Sequence, residues 1–477
     1  KHDITAVTEQ QTRTRNILVE NLLTFDRTFG DHKVSALVGY TYQDSRYRYM
    51  QGSGQGMPTG ITEIDAASQG LAVSGNSSRS VLTSILGRAF YSYKNRYLLT
   101  ATIRRDGSSK FGSNYRYGNF PSVSVGWNIA EEDFVKNSVS WLDQLKLRGG
   151  YGVLGNQEID NYQYVSVVTT GINYPDGKSG LIQGAFPKTF ANPDIKWEET
   201  AMTNVGIDFM ALRNRLTLTA DWYVKNTKDI LLNVPIPIST GGANDPIRNA
   251  GKIRNQGFEF NLGWNESLNK DLSYGVSFLG TYNKNEVVEM GAESQVITGG
   301  TIHGGTYTSR TLAGYPIGGF WLIPTDGYFN STEEVQAHQK DGVLIQPSAE
   351  PGDIRFKDTN NDGTINDEDR VYCGSPFPKF TYSINGNITY KNVDFSIGFQ
   401  GVTGNKIYNA TKLELTDVTR GTNYLASTLD YWTPENQNAS SPRLIWTDPN
   451  RNARSESDRY LESGSYFRLR NLQVGYT

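Results

Sequence analysis

Segments of about ten residues in which apolar and polar positions alternate recur along the whole chain. Val34, Ala36, Val38, Tyr40 and Tyr42 alternate with Ser35, Leu37, Gly39 and Thr41. Val123, Val125, Trp127 and Ile129 alternate with Ser122, Ser124, Gly126 and Asn128, and the same period runs through 216–224, 258–264 and 393–399. Each segment has one apolar face and one face built largely of Ser, Gly, Asn and Thr, which predicts a strand with two unlike sides. About thirteen such strands are predicted along the chain.

The links between them fall into two classes. Short ones at 29–33, 94–95, 213–214, 268–271 and 391–392 alternate with long ones at roughly 48–79, 229–254, 286–378 and 403–465. A link of medium length, about 130–143, is expected to hold a helical turn around Glu131, Glu132, Asp133, Phe134 and Val135, and a short surface helix is expected at Ser331 to Val335. Short turns on one side of many antiparallel strands, with long loops on the other, is the layout of an outer-membrane β-barrel. A soluble sandwich or propeller alternates as well. It has no need for Tyr, Phe and Trp at the strand ends, whereas a membrane barrel places aromatics at both interfaces. Tyr91, Tyr93 and Tyr97 collar the Lys94-Asn95-Arg96 turn, and Tyr390 flanks Lys391-Asn392, as such a girdle would. The expected fold is all-β: an antiparallel transmembrane β-barrel with long extracellular loops.

Composition agrees. The 477 residues include 49 Gly, 28 Tyr, 20 Phe and 8 Trp, but only 37% are hydrophobic and the mean hydropathy is -0.51. Strand and turn formers dominate over helix formers. No run of 18 apolar residues is present, so no helical span is predicted, which leaves a barrel open. A net charge of -3 and the lack of a basic run argue against nucleic-acid binding. A lone cysteine, Cys373, excludes an intramolecular disulfide framework and a Cys-rich zinc site. The N-terminal stretch shows no signal peptide and the C-terminus stops within an apparent strand, so both ends read as cuts in a longer chain.

Motifs with chemical meaning are few. Gly150 to Gly155 matches G-x-G-x-x-G, but polar loop follows where a nucleotide site needs a helix, so it reads as a Gly-rich strand end. His2, His32, His303 and His338 have no metal-binding spacing, and no nucleophile elbow or other catalytic residue stands out. The sharp local signal is DTNNDGTINDED, where Asp358, Asn360, Asp362, the Thr364 carbonyl and Asp369 occupy calcium-loop positions 1, 3, 5, 7 and 12 around Gly363. Asp369 replaces the usual bidentate Glu. A structural calcium ion and a self-bonded Asx turn are the two readings.

Several blocks, taken in order, resemble the SusC/RagA family of TonB-dependent outer-membrane transporters of Bacteroidota. They are KNRYLLT at 94–100, RRDGSSKFG at 104–112, NFPSVSVGW at 119–127, LKLRGGYG at 145–152, GNQ at 155–157, PDIKWE at 193–198, PGDI at 351–354 and RLRNL at 468–472. The resemblance implies a 22-stranded barrel with an N-terminal plug, capped by a SusD-like surface lipoprotein and energised through TonB. On that analogy residues 1–477 are a partial barrel domain, with the plug and first strands before it and the last strands after it. Residues 286–378 are then an extracellular loop region. Import of a large nutrient, a glycan or oligosaccharide, is the implied function, with oligopeptide import or a barrel enzyme or assembly scaffold as alternatives. Tyr115, Tyr117, Tyr174, Trp321, Tyr328 and Trp432 are loop aromatics suited to substrate stacking, to a partner interface, or simply to loop packing.

Overall fold

Backbone pairing turns the period-2 pattern into a single antiparallel sheet of thirteen strands among the described residues. The computed structural model describes residues 4–175, 177, 180–234, 245–291, 296–302 and 305–477, with side chains described except at 167, 171, 174, 188 and 189. The sheet strands are β1 (Ala6–Phe29), β2 (His32–Gln55), β3 (Gln69–Tyr93), β4 (Tyr97–Ser108), β5 (Tyr117–Asn128) and β6 (Leu142–Asn156). They continue as β7 (Glu198–Ala211), β8 (Leu216–Lys228), β9 (Lys252–Ser267), β10 (Leu272–Glu289), β11 (Phe380–Tyr390), β12 (Val393–Thr403) and β13 (Tyr466–Tyr476). Each neighbours the next in chain order, a meander. Among the described residues no helix is long and apolar enough to cross a membrane.

Contacts divide the chain into two compact units, Lys1–Phe209 with Tyr223–Lys252 and Met210–Trp222 with Ile253–Thr477. In the first unit, register sorts side chains into rows across the strands. Val38 stands opposite Gly87, Gly87 opposite Ile103, and Ile103 opposite Pro121. The next row runs Ala36, Ala89, Ala101 and Val123. On this face Val38 and Ile85 are 59% exposed and Val125 is 55% exposed, although each lies in a strand with neighbours on both sides. Among the described residues nothing covers this apolar face, and one of that extent marks contact with an apolar phase or a partner. The other face of the same strands carries Ser84, Ser92, Thr100, Thr102, Arg104 and Asp106, with Arg104 bonded to Asp106 (2.6 Å) and to the Ser84 hydroxyl (3.1 Å).

The short turns are made as the sequence indicates. Lys94 and Asn95 both adopt left-handed backbone (φ 50 and 55°), and the Arg96 N–H closes the turn on the Tyr93 carbonyl at 2.9 Å. Arg213 and Asn214 (both φ 61°) repeat the device, while the turn after β11 uses a single left-handed residue, Lys391 (φ 49°). Two successive left-handed residues match the strand twist, and Asn tolerates them better than most side chains. The 130–143 link holds the expected helical turn, Asp133–Lys136. Just before it, Glu132 accepts from the Tyr97 hydroxyl (2.6 Å) and the Trp127 indole N–H (3.0 Å) and pairs with Arg96 (3.2 Å). These bonds, the Tyr97 hydroxyl first, hold Glu132 below the usual carboxylate range. The aromatic collar at this end is therefore clasped by the turn as well as packed.

Two expectations need correction. The 48–79 link is mostly strand, since β2 runs to Gln55 and β3 begins at Gln69. Gly, Ser, Gln and Arg on both sides masked the apolar period there, yet the ladder continues because strand propensity is settled by neighbours as much as by side chains. The 157–197 segment was not among the expected long links, and it carries its own hairpin, Val167–Pro175 with Leu181–Thr189. The G-x-G-x-x-G match lies inside β6. At the loop end of this unit Phe111, Phe120, Ile159, Ile195 and Trp197 form a buried core, so the RRDGSSKFG, NFPSVSVGW and PDIKWE blocks meet in space.

In the second unit Val393, Phe395 and Ile397 of β12 stand opposite Tyr476, Val474 and Leu472, while Asp394 and Ser396 lie on the other face. A cysteine at Phe395 is expected to react with a hydrocarbon-soluble thiol probe, and one at Ser396 only with a water-soluble probe. Equal labelling by the hydrocarbon probe would refute this face assignment.

Candidate functional site: a folded loop module

The two longest links of the second unit fold together. Within 286–378 a four-stranded sheet (Ile297–Thr298, Ser309–Thr311, Gly319–Leu322, Val371–Gly374) sits beside the pair Thr325–Tyr328 and Ile354–Phe356. The helix Thr332–Ala337 forms where expected, with the Ser331 hydroxyl accepting from the Glu334 N–H. The 403–465 link joins this framework through its backbone. Ile323 donates to Glu456 (2.7 Å) and accepts from Asp458 (3.1 Å), and Arg443 donates to Gly352 (2.9 Å).

Asp353 is the centre of this junction. It is 0% exposed. Arg443 grips both its oxygens (2.6 and 2.9 Å), the Asn452 amide donates at 2.8 Å, and the Glu350 N–H donates at 2.9 Å. The network continues inward. Asn452 accepts from the Ile354 N–H and from Asn450, and Asn450 accepts from Gln346. Gln346 donates to the Ile354 carbonyl (3.0 Å) and accepts from the Phe356 N–H (2.8 Å). Every buried polar partner is thereby answered, which such a site requires. Nearby, Glu456 pairs with buried Arg454, whose guanidinium stacks 5.0 Å from the Phe356 ring centre. Burial works to raise the Glu456 carboxyl, but Arg454 and Arg451 prevail and hold it low. Burial pushes the Asp448 carboxyl up despite N–H donors from Asn452 and Ala453.

The expected aromatic contacts separate into different roles. Trp432 is 6% exposed, bonded through its indole N–H to Asn330 (3.0 Å). Its ring lies where a side chain on Gly352 (φ +92°) would sit, so Trp432 packs the module. Tyr328 is half-buried against Ile323, Ile354 and Phe356, and burial raises its phenol. Trp321 is half-buried in a triad with Tyr315 (4.8 Å) and Tyr372 (6.0 Å), near a groove of about 240 Å³ lined by Tyr372, Asn283, Asn285 and Lys379 among others. Tyr117, stacked under Arg105 at 5.0 Å, shares the apolar face of Val123, Val125 and Trp127 but lies at the opposite end of β5 from the Tyr97–Trp127 collar. Tyr115 is an exposed turn residue. The Tyr174 side chain lies outside the described ones, as does His303.

The Asp-rich loop curls around its first acid. Asp358 accepts from the Asp362 N–H (3.1 Å) and the Gly363 N–H (2.8 Å), and Gly363 takes the left-handed turn at φ +90°. Asp362, exposed, accepts from the Thr364 N–H and hydroxyl and from the Asn360 and Asn366 amides, which bring its carboxyl down to about 2. Asp369 is fully buried, its two oxygens accepting from the Thr359 and Asn366 N–H groups. Among the described residues no three His, Cys, Asp or Glu side chains gather as metal donors.

The model of the TonB dependent receptor-like β-barrel family matches residues 3–477. The chain belongs to that family. It is 31% identical to TonB-dependent receptor P3 of Formosa agariphila over 97% of this chain and 45% of that protein. It is 30% identical to TonB-dependent receptor SusC of Bacteroides thetaiotaomicron over 84% of this chain and 38% of that protein. Its fold is similar to the RagAB peptide transporter structure, with a TM-score of 0.82 at 22% identity over 99% of this chain and 50% of that one. The chain thus spans about half the length of the relatives it matches. It is part of an outer-membrane β-barrel: the apolar rows face lipid, the polar rows face the interior, and the Tyr97–Trp127 collar is an interfacial girdle.

In this TonB-dependent receptor barrel the buried Asp353–Arg443 pair holds the loop module together. Arg443→Ala would strand a buried carboxylate, at a cost of roughly 3–5 kcal/mol. Limited proteolysis should then cut within 343–365 and 440–460 while heat-modifiable barrel migration on gels persists. Unchanged protease resistance would show that the pair is dispensable.

Proposed function

We propose that the chain is part of a TonB-dependent importer of large polar nutrients, glycans or oligosaccharides first, that works with a SusD-like surface lipoprotein. The observation that carries this reading is the loop module itself. The described residues of 286–378 and 403–465 form one internally bonded platform, yet it leaves Val343 (68%), Leu429 (77%) and Trp446 (61%) exposed. Large apolar side chains held outward on a rigid extracellular scaffold suit a docking surface for a protein partner. The outer membrane holds neither ATP nor an ion gradient, so uphill uptake needs force from an inner-membrane partner, here TonB acting through a plug that precedes the barrel.

The Tyr315–Trp321–Tyr372 cluster beside a groove with Asn and Lys side chains favours sugar rings, which stack on aromatics while their hydroxyls bond amides. An oligopeptide is the second reading, consistent with the likeness to a structure described as a peptide transporter. Cys373 does not support an enzyme: burial pushes its thiol up and its sulfur lies 3.3 Å from the Val371 carbonyl, the reverse of an activated nucleophile. In the full-length protein Leu429→Glu with Trp446→Glu should lower recovery of the co-purifying lipoprotein at least about tenfold, the scale of removing hot-spot residues. Tyr372→Ala should weaken oligosaccharide binding and leave that recovery intact. Full lipoprotein recovery in the double variant would remove the module from the interface, and peptide binding without oligosaccharide binding would establish the second reading.

Calcium at the Asp358–Asp369 loop is a separate proposal. The donor set is chemically apt, since the oxygens are hard, Asp362 stays ionised at neutral pH, and a carboxylate oxygen that accepts one N–H retains a lone pair. The ion would displace the Asn360 and Asn366 amides from Asp362. Chelation should then raise protease cutting at 358–369, and Asp362→Ala should abolish the calcium response. Identical cutting with and without calcium would leave the Asx-turn network as the whole account.

A further inference from the structure

Above the lipid-facing rows of the first unit the same face turns basic. Following register from the short-turn end, the row Phe29, His32, Tyr93, Tyr97 and Trp127 marks one girdle. Ten residues further along the strands lies the row Val19, Tyr42, Thr83, Gly107 and Tyr117. Ten residues cover about 33 Å of strand, and at a tilt of about 40° this spans about 25 Å, the height of a barrel's apolar band. The side chains beyond that upper edge, on the outward face, are Arg15 opposite Arg46 opposite Arg79, and then Arg13 opposite Arg48 opposite Ser77.

These five arginines line a groove of about 460 Å³. Their charge is answered by one carboxylate. Asp44, 5% exposed, takes two bonds from Arg79 (both 3.0 Å) and a weaker pair from Arg46 (3.2 and 3.4 Å). Arg79 also reaches the Tyr42 hydroxyl at 3.4 Å, which ties the cluster to the girdle below it. Among the described residues Arg13, Arg15 and Arg48 pair with no carboxylate. The next acid on this face of β1 is Glu9, roughly 13 Å further out along the strand. Arginines placed across from one another repel, and their arrangement in rows of two and three makes sense when an anion lies between them.

We propose that this face binds the phosphorylated headgroup of an anionic glycolipid in the outer leaflet of the outer membrane. Three observations point to that occupant. The residues face outward, on the lipid side of the sheet by register. They begin two rows beyond the apolar band, where headgroups lie. Guanidiniums grip phosphate through paired N–H donors, and anionic headgroups attract basic clusters at this depth. The glycolipid would act as a collar that fixes the depth of the long strands β1 to β3 in the membrane and screens their mutual repulsion.

The test uses the full-length transporter purified in detergent and titrated with bisphosphorylated lipid A, with dephosphorylated lipid A, and with inorganic phosphate as competitor. The wild-type protein should prefer the phosphorylated form by tenfold or more, and millimolar phosphate should not displace it. The variant combining Arg13→Gln, Arg15→Gln and Arg48→Gln leaves Asp44 and its partners untouched and should lose most of that preference while its barrel stays folded. Equal binding of the two lipids, displacement by free phosphate, or an unchanged preference in the triple variant would each overturn the proposal. So would loss of the co-purifying lipoprotein in that variant with lipid binding unchanged, which would make the face a protein interface.

Discussion

In hydrocarbon no water is available to satisfy an N–H or a C=O, so each strand must find both partners in its neighbours. The rest of the structure depends on that constraint. It makes the ladder obligatory, as in the run from His32 opposite Tyr93 to Ser53 opposite Ala72, and leaves side chains free to answer only what each face touches. Within the band the outward face is built mainly of Val, Ile, Ala and Tyr, and the other face carries Ser, Thr, Arg and Asp. Beyond the band the ladder persists while the outward residues change to Arg and Ser. Strand continuity and face chemistry are set independently, which is why β1 to β3 reach 24 or 25 residues without 24 residues of alternation.

The loops face the same backbone problem without a ladder, and side-chain amides solve it. Gln346 gives one hydrogen bond to the Ile354 carbonyl and takes one from the Phe356 N–H, as a neighbouring strand would. Asn249 does the same for Lys196, accepting from its N–H (2.9 Å) and donating to its carbonyl (2.7 Å). A buried amide that serves two backbone groups repays its own desolvation, because leaving either group unpaired costs about 1–3 kcal/mol. The Asp353–Arg443 pair extends this logic to charge, where both carboxylate oxygens and most of the guanidinium are occupied.

This division explains what was legible in the sequence. Alternation, short turns with Asn or Gly, and aromatic ends are local, so the barrel class and the faces of β12 could be read directly. The paired strands Val167–Pro175 and Leu181–Thr189 and the outer halves of β2 and β3 could not, because Gly-, Ser- and Thr-rich strand and loop share a composition. Trp432 and Tyr117 show the same limit for single residues. An aromatic in a loop is inward or outward according to partners that are distant in sequence, for Trp432 Asn330, 102 residues away, and Gly352. The buried amide network had a signal only in hindsight, in the Asn- and Asp-rich stretch 448–452 and the PGDI block that it grips.

The two solutions meet at the strand ends, and the way they meet bears on the proposed import role. At the end of β10 the strand pairs with the loop that follows it: Gly314 donates to Val287 and Val287 to Tyr315, while the Asn285 side chain accepts from the Ile317 N–H. At the far side of the module Lys379 donates to Thr403, and Lys406 to Ser375. The module is therefore bonded onto β10, β11 and β12 by backbone contacts. Under the proposed docking role, a partner bound to such a platform would push on the strand ends through short, stiff connections. A tether would absorb the same push as chain entropy. The rigidity that the buried amides confer on the loops is what would let an event at the surface be felt by the barrel wall.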